Sequence, residues 1–152
     1  MANSFTVLVM LLLTLVLGAG AETLLPKFLG VGFPVLMSAV QFAAVRRSAA
    51  AATLFALAAG AMEDALSALP MATSASFFLA LAAFSRWSGM AGTAAAFAYP
   101  AYRLWLLVWT GRPGGGIFVQ VLAAVPVGVL TACAVGLVLG WAEGKAALDE
   151  EG

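Results

Sequence analysis

Two stretches of this chain, residues 5–21 and 117–141, contain no charged residue at all. Their length decides what they can be. A hydrocarbon core about 30 Å thick takes about 20 mostly apolar helical residues to cross, whereas the surface helices of soluble domains alternate apolar and polar faces. The composition extends the point to the whole chain: 64% of its 152 residues are hydrophobic and 9% are charged, and the mean hydropathy is +1.07. A soluble fold of this size would have almost nothing polar to set against water. The expected fold class is therefore an all-α integral membrane protein, a compact bundle of about six transmembrane helices. Continuous apolar runs without period-two alternation argue against a β-barrel.

Six helical segments are expected, at about Phe5–Ala21, Phe28–Val45, Ser48–Leu69, Ala72–Trp87, Gly92–Thr110 and Ile117–Trp141. Arg46 and Arg47 stop the second and Pro70 the third, while Pro34 and Pro100 fall inside the second and fifth. The fourth is short for a span, which tilt or a thin bilayer accommodates. Residues 1–142 form a single transmembrane domain, and residues 143–152 a polar cytoplasmic tail. The N-terminal run followed by Ala19-Gly20-Ala21 has the look of a secretory signal with a small-residue cleavage site. It has no Lys or Arg ahead of its apolar core and further apolar segments follow, so an uncleaved first span is favoured. No internal repeat is evident.

The basic residues orient the bundle. Arg46, Arg47, Arg86 and Lys145 fall on one side, and Lys27 and Arg112 on the other. The excess puts both termini in the cytoplasm. Trp87, Trp109 and Trp141 sit at expected span ends, as interfacial aromatics do.

Most chemistry is excluded. The net charge is zero, so no basic footprint points to nucleic acid. A single cysteine, Cys133, rules out an internal disulfide. The absence of histidine removes Ser-His-Asp and Cys-His catalysis and histidine metal sites. The glycine-rich loop at 111–118 lacks the Gly-Lys-Ser/Thr ending of a phosphate loop. Glu63 and Asp64 project about 100° apart on one helix, so they cannot share a water as an aspartyl dyad does. No enzyme activity, cofactor or metal is expected.

Helices in lipid associate through close packing of small residues and through interhelical polar contacts. The sixth segment carries Gly128, Ala132, Gly136 and Gly140 at four-residue spacing; the third carries Ala52, Ala56 and Gly60, and the next member of that row is Asp64. These rows serve either ordinary packing within the chain or docking of another membrane protein. Register puts Asp64 on the packed face as the structural or partner-facing acid, with Glu63 turned toward the interface and more replaceable. Arg103, in the middle of the fifth segment, needs a partner because an arginine at the bilayer centre is costly. Glu63 or Asp64 is the first choice; a polar neighbour or the carbonyl freed by Pro100, and snorkelling to a headgroup, are the alternatives.

The stretches "LPKFLGVGFPVLMSAVQFAAVRR" and "LFALAAGAMEDALSALPMATSASFFLALAAF" resemble the bacterial rod shape-determining protein MreD family. Members carry a glycine, then an aspartate a few residues later, then a short small or polar stretch and a second apolar span. Gly60, Asp64 and Ser67 fall on that pattern. Where members often have Leu-Gly after the aspartate, this chain has Leu69-Pro70-Met71-Ala72. The resemblance covers about residues 24–87. It implies a non-enzymatic inner-membrane subunit of the lateral-wall machinery. The implied partners are an MreC-like bitopic protein, the wall polymerase and transpeptidase, and actin-like MreB. It also implies a fold similar to the six-helix substrate-binding subunit of energy-coupling-factor transporters. That similarity brings the alternative, a vitamin-type transporter subunit with an outward cavity lined by Tyr99, Tyr102, Arg103 and Trp105. A small pore fits less well, since no segment has a recurring polar stripe.

Overall fold

Pro34 and Pro70 lie between helices of this apolar chain, whereas Pro26, Pro100 and Pro126 lie inside them. The computed structural model describes residues 4–29, 32–89, 91–111 and 117–151, with side chains for 7–29, 32–89, 97–111 and 119–144. Six α-helices follow one another: α1 (Ser4–Leu29), α2 (Val35–Arg46), α3 (Ala49–Leu66), α4 (Thr73–Ser88), α5 (Ala91–Thr110) and α6 (Ile117–Glu151), with no strand among the described residues.

Four boundaries differ from expectation, and the first is that of α3, which ends at Leu66 and not at Leu69. Helix α1 continues past Ala21 because its polar groups find partners: Thr23 Oγ1 donates back to the Ala19 and Gly20 carbonyls at 3.1 and 2.9 Å, and Glu22 reaches α2. Pro34 does not lie inside the second helix but immediately precedes it, at φ −81° and ψ 66°. Lacking an N–H and constraining the residue before it, proline starts a helix more easily than it continues one. Helix α6 runs on to Glu151, past the expected end at Trp141.

Helix α2 is the hub. At 12 residues it is about 18 Å long, and Leu36, Met37, Ser38, Ala39, Val40, Gln41, Ala43 and Ala44 are all buried. Helices α1, α3, α4, α5 and α6 all pack against it. The core continues through Phe55, Ala56 and Ala59 of α3, Phe78 and Leu81 of α4, and Tyr102 of α5. The outer surface is apolar too, with Leu13, Leu17, Phe28, Leu54 and Leu137 exposed. Among the described residues, α1, α3 and α6 contain segments long and apolar enough to cross a membrane, at Val7–Leu29, Ala49–Leu66 and Val119–Gly144.

The two ends of the bundle differ in charge. Where α2 ends and α3 begins, Arg47 pairs with Glu143 of α6 at 2.6 Å, and Arg86 donates to the Arg47 carbonyl at 2.8 Å. Arg46 lies over the Phe42 ring, 5.6 Å from its centroid. The opposite end holds Glu22, Glu63 and Asp64.

Candidate functional site

A helix start leaves backbone N–H groups unpaired, and a side chain just before the helix usually accepts one. Ser48 does this for α3, accepting from the Ala51 N–H at 3.3 Å. Pro34 and Ala72, which precede α2 and α4, have no side chain able to do so. Acids on the preceding helices take their place. Glu22 Oε1 of α1 accepts from the Leu36 N–H at 2.7 Å, and Asp64 Oδ1 of α3 accepts from the Ser74 N–H at 2.7 Å. Leu36 and Ser74 are each the second residue of their helix. Each carboxyl oxygen therefore sits at the start of a helix, where a free N–H needs an acceptor.

The same two hairpins share a close approach. Glu22 follows Gly18 by four residues, as Asp64 follows Gly60. A Cβ on Gly18 would stand 2.8 Å from Leu36 Cδ2, and one on Gly60 would stand 2.6 Å from the Ala75 nitrogen, against the α4 backbone. Glycine lets the start of the next helix come close, and the acid one turn later caps it. This Gly-x-x-x-acid spacing is the sequence signal for Glu22, which lies one residue past the expected first segment.

The turn between α3 and α4 is tightly specified. The Leu69 N–H donates to the Asp64 carbonyl at 3.0 Å around Ala68, at φ 50°, which closes α3 in a Schellman-type end. Ala72, at φ 70°, then turns the chain into α4. Both alanines occupy left-handed backbone that glycine adopts at lower cost.

Glu63 and Asp64 lead separate lives. Asp64 is 4% exposed. Glu63 is half-buried and accepts from Ser67 Oγ at 3.1 Å. Ser74 Oγ and the Tyr102 hydroxyl are 2.6 Å apart, Trp105 Nε1 donates to the Thr73 carbonyl at 2.9 Å, and the Phe77 ring lies 5.1 Å from that of Tyr102. These contacts tie the capped start of α4 to α5. Arg103 does not pair with either acid of α3. Its Nη2 donates to Gln120 Oε1 of α6 at 3.0 Å. Asp64 is already turned into the α4 terminus and Glu63 toward Ser67, so the polar-neighbour alternative is the one realised. Nothing in the periodicity of the sixth segment had singled out Gln120.

Between these groups lies a cavity of about 290 Å³, whose lining includes Glu22, Glu63, Ser67, Tyr99, Tyr102 and Arg103. It offers two carboxyl groups, a guanidinium, two phenols and a hydroxyl, a set suited to holding a small polar molecule. Trp105 is not part of its wall. Among the described residues no cluster of three His, Cys, Asp or Glu is placed to hold a metal.

The two small-residue rows have different surroundings. Ala52, Ala56, Gly60 and Asp64 are all buried within the chain. On α6, Gly128 is buried and Ala132 half-buried, whereas a Cβ on Gly136 or Gly140 would meet nothing within 4 Å. Comparison with protein-family models, curated proteins and solved structures finds no match to this chain.

Proposed function

We propose that this chain is a multi-pass bacterial inner-membrane protein of the MreD kind. In this reading it is a non-enzymatic scaffold of the lateral-wall machinery, with six helices in the bilayer, a fold like that of energy-coupling-factor binding subunits, and both termini cytoplasmic. The observation that carries the reading is the Gly60–Asp64 pair, which lies on the family's glycine–aspartate pattern and joins α3 to α4 through Ser74. The open Gly136 and Gly140 face of α6 is the docking surface in this reading, and its partner is the single transmembrane helix of an MreC-like protein. The wall polymerase, transpeptidase and actin-like MreB then join through that partner.

One observation favours a second reading, the binding subunit of a vitamin-type transporter. The acid-end cavity is lined by Tyr99, Tyr102 and Arg103, three of the four residues that reading needs. Trp105 instead spends its indole N–H on the Thr73 carbonyl. Affinity purification from mild detergent separates the two. Recovery of an MreC-like bitopic protein is the expected result. A bound vitamin, or an ATPase with its coupling subunit, overturns the scaffold reading in favour of the second.

A further inference from the structure

At the end of the bundle opposite the acids, a groove of about 590 Å³ opens between the first half of α1 and the first half of α3. Leu8, Leu11, Leu12 and Leu15 form one wall, and Leu54 and Phe55 belong to the other. Arg46, Arg47 and Ser48 close one end. We propose that this groove binds one anionic phospholipid, its phosphate at the arginines and one acyl chain along the leucines. The inference rests on the membrane-embedded reading of the chain and not on the cell-shape assignment.

The dimensions fit one leaflet. From Ser48 to Ala58 the α3 wall rises about 15 Å at 1.5 Å per residue, which is half of a hydrocarbon core about 30 Å thick. A lipid whose chain fills the groove therefore has its phosphate at the level of Arg46 and Arg47. The walls are apolar and open outward, with Leu8 55% and Leu54 68% exposed, so an acyl chain enters sideways from the bilayer.

The charges select the headgroup. Three guanidinium groups gather here, those of Arg46, Arg47 and Arg86, and they have different commitments. Arg86 donates to the Ala44 and Arg47 carbonyls, and Arg47 pairs with Glu143, which faces it from α6. Arg46 rests on the Phe42 ring and has no acidic partner among the described residues. The first N–H groups of α3 open at the same point, and a helix N-terminus favours an anion. Among the described side chains, one carboxylate, Glu143, stands against these three arginines, and basic pockets between helices attract acidic headgroups. A partner helix filling the groove would leave Arg46 without a counter-charge unless it brought an acid to that depth.

The test is native mass spectrometry of the full chain in mild detergent. The probes are phosphatidylglycerol, phosphatidylcholine with the same acyl chains, and glycerol 3-phosphate. Phosphatidylglycerol is expected to be retained over phosphatidylcholine by about five-fold for each arginine engaged, and glycerol 3-phosphate is expected not to compete. Arg46→Gln, at an exposed position outside the core, should reduce that preference. Leu54→Trp should lower retention of both lipids by filling the groove, with the helical circular dichroism unchanged. Equal retention of the two lipids, or competition by glycerol 3-phosphate, overturns the site. So does a photocrosslinker at position 54 that captures a protein and no lipid in cell membranes. Release of the chain from membranes by alkaline carbonate overturns the membrane reading itself. Retention under carbonate with equal lipid binding defeats the groove proposal alone.

Discussion

Asp64 sits in a bundle that is otherwise almost wholly apolar, and it stays because a buried N–H needs it. The Ser74 amide lies at a helix start whose preceding residue, Ala72, has no acceptor, so the carboxylate one helix away supplies it. Removing the acceptor leaves a buried donor unpaired, which costs about 1–3 kcal/mol. Asp64→Ala should therefore lower unfolding stability by about that amount, read by tryptophan fluorescence during denaturation in micelles. Asp64→Asn keeps an oxygen for Ser74 and loses the charge at the helix end, a smaller loss of about 0.3–1 kcal/mol. Glu63→Gln should cost less than Asp64→Ala, because its partners are the exposed Ser67 hydroxyl and the Glu22 carboxyl, and an amide can still bond to both. Equal losses at positions 63 and 64 would mean that the α4 cap contributes nothing of its own.

At the scale of helices, the two Gly-x-x-x-acid hairpins differ in what their glycines face. A Gly→Ala change inside a helix gains about 1 kcal/mol in propensity. At Gly18 the new methyl meets the end of the Leu36 side chain, which can rotate away. Gly18→Ala should be near neutral. At Gly60 it meets the Ala75 backbone, which moves only if α4 does. Gly60→Ala should cost about 1–3 kcal/mol despite the propensity gain, and thermal melts of the two variants side by side decide the matter. Helices α5 and α6 make their own prediction. A double-mutant cycle of Arg103→Ala with Gln120→Ala should show coupling of about 0.5–1 kcal/mol, and Arg103→Ala with Asp64→Ala should add within about 0.5 kcal/mol. What was legible in the sequence follows the same division. The Arg46-Arg47 pair marks a real helix end, and the four-residue row from Ala52 to Asp64 marks a real packed face, because both depend only on local chemistry and helical period; α3 stops at Leu66, ahead of Pro70. The Glu22 cap and the Arg103–Gln120 bond depend on how neighbouring helices rotate against each other, which periodicity within one segment does not determine. Pro34 was misread for a related reason: the apolar run continues through it, and hydropathy does not register a missing N–H.

For the whole molecule, the disposition of the small residues separates what holds the chain together from what it offers to others. The α3 row is consumed inside, where Gly60 and Asp64 join α3 to α4. The α6 row divides along its length, buried at Gly128 and open at Gly136 and Gly140. Exposed Leu137 and Val138 flank those open glycines, so a second helix can approach the α6 backbone closely and pack against aliphatic side chains. Replacing both glycines with leucine puts each new Cβ where nothing lies within 4 Å, so the side chains can extend outward without displacing the chain's own atoms. The double variant Gly136→Leu/Gly140→Leu should melt within about 0.5 kcal/mol of the parent, or slightly above it as helix propensity rises. If the proposed MreC-like partner docks here, the double variant should nevertheless lose it in affinity purification, since leucine at such a contact holds two helix backbones apart. Gly128→Leu provides the contrast. It enlarges a buried position and should lower the melting temperature, losing the partner through loss of fold. If the double variant recovers the partner as well as the parent does, the open end of α6 is not the docking face, and the scaffold reading must find another surface.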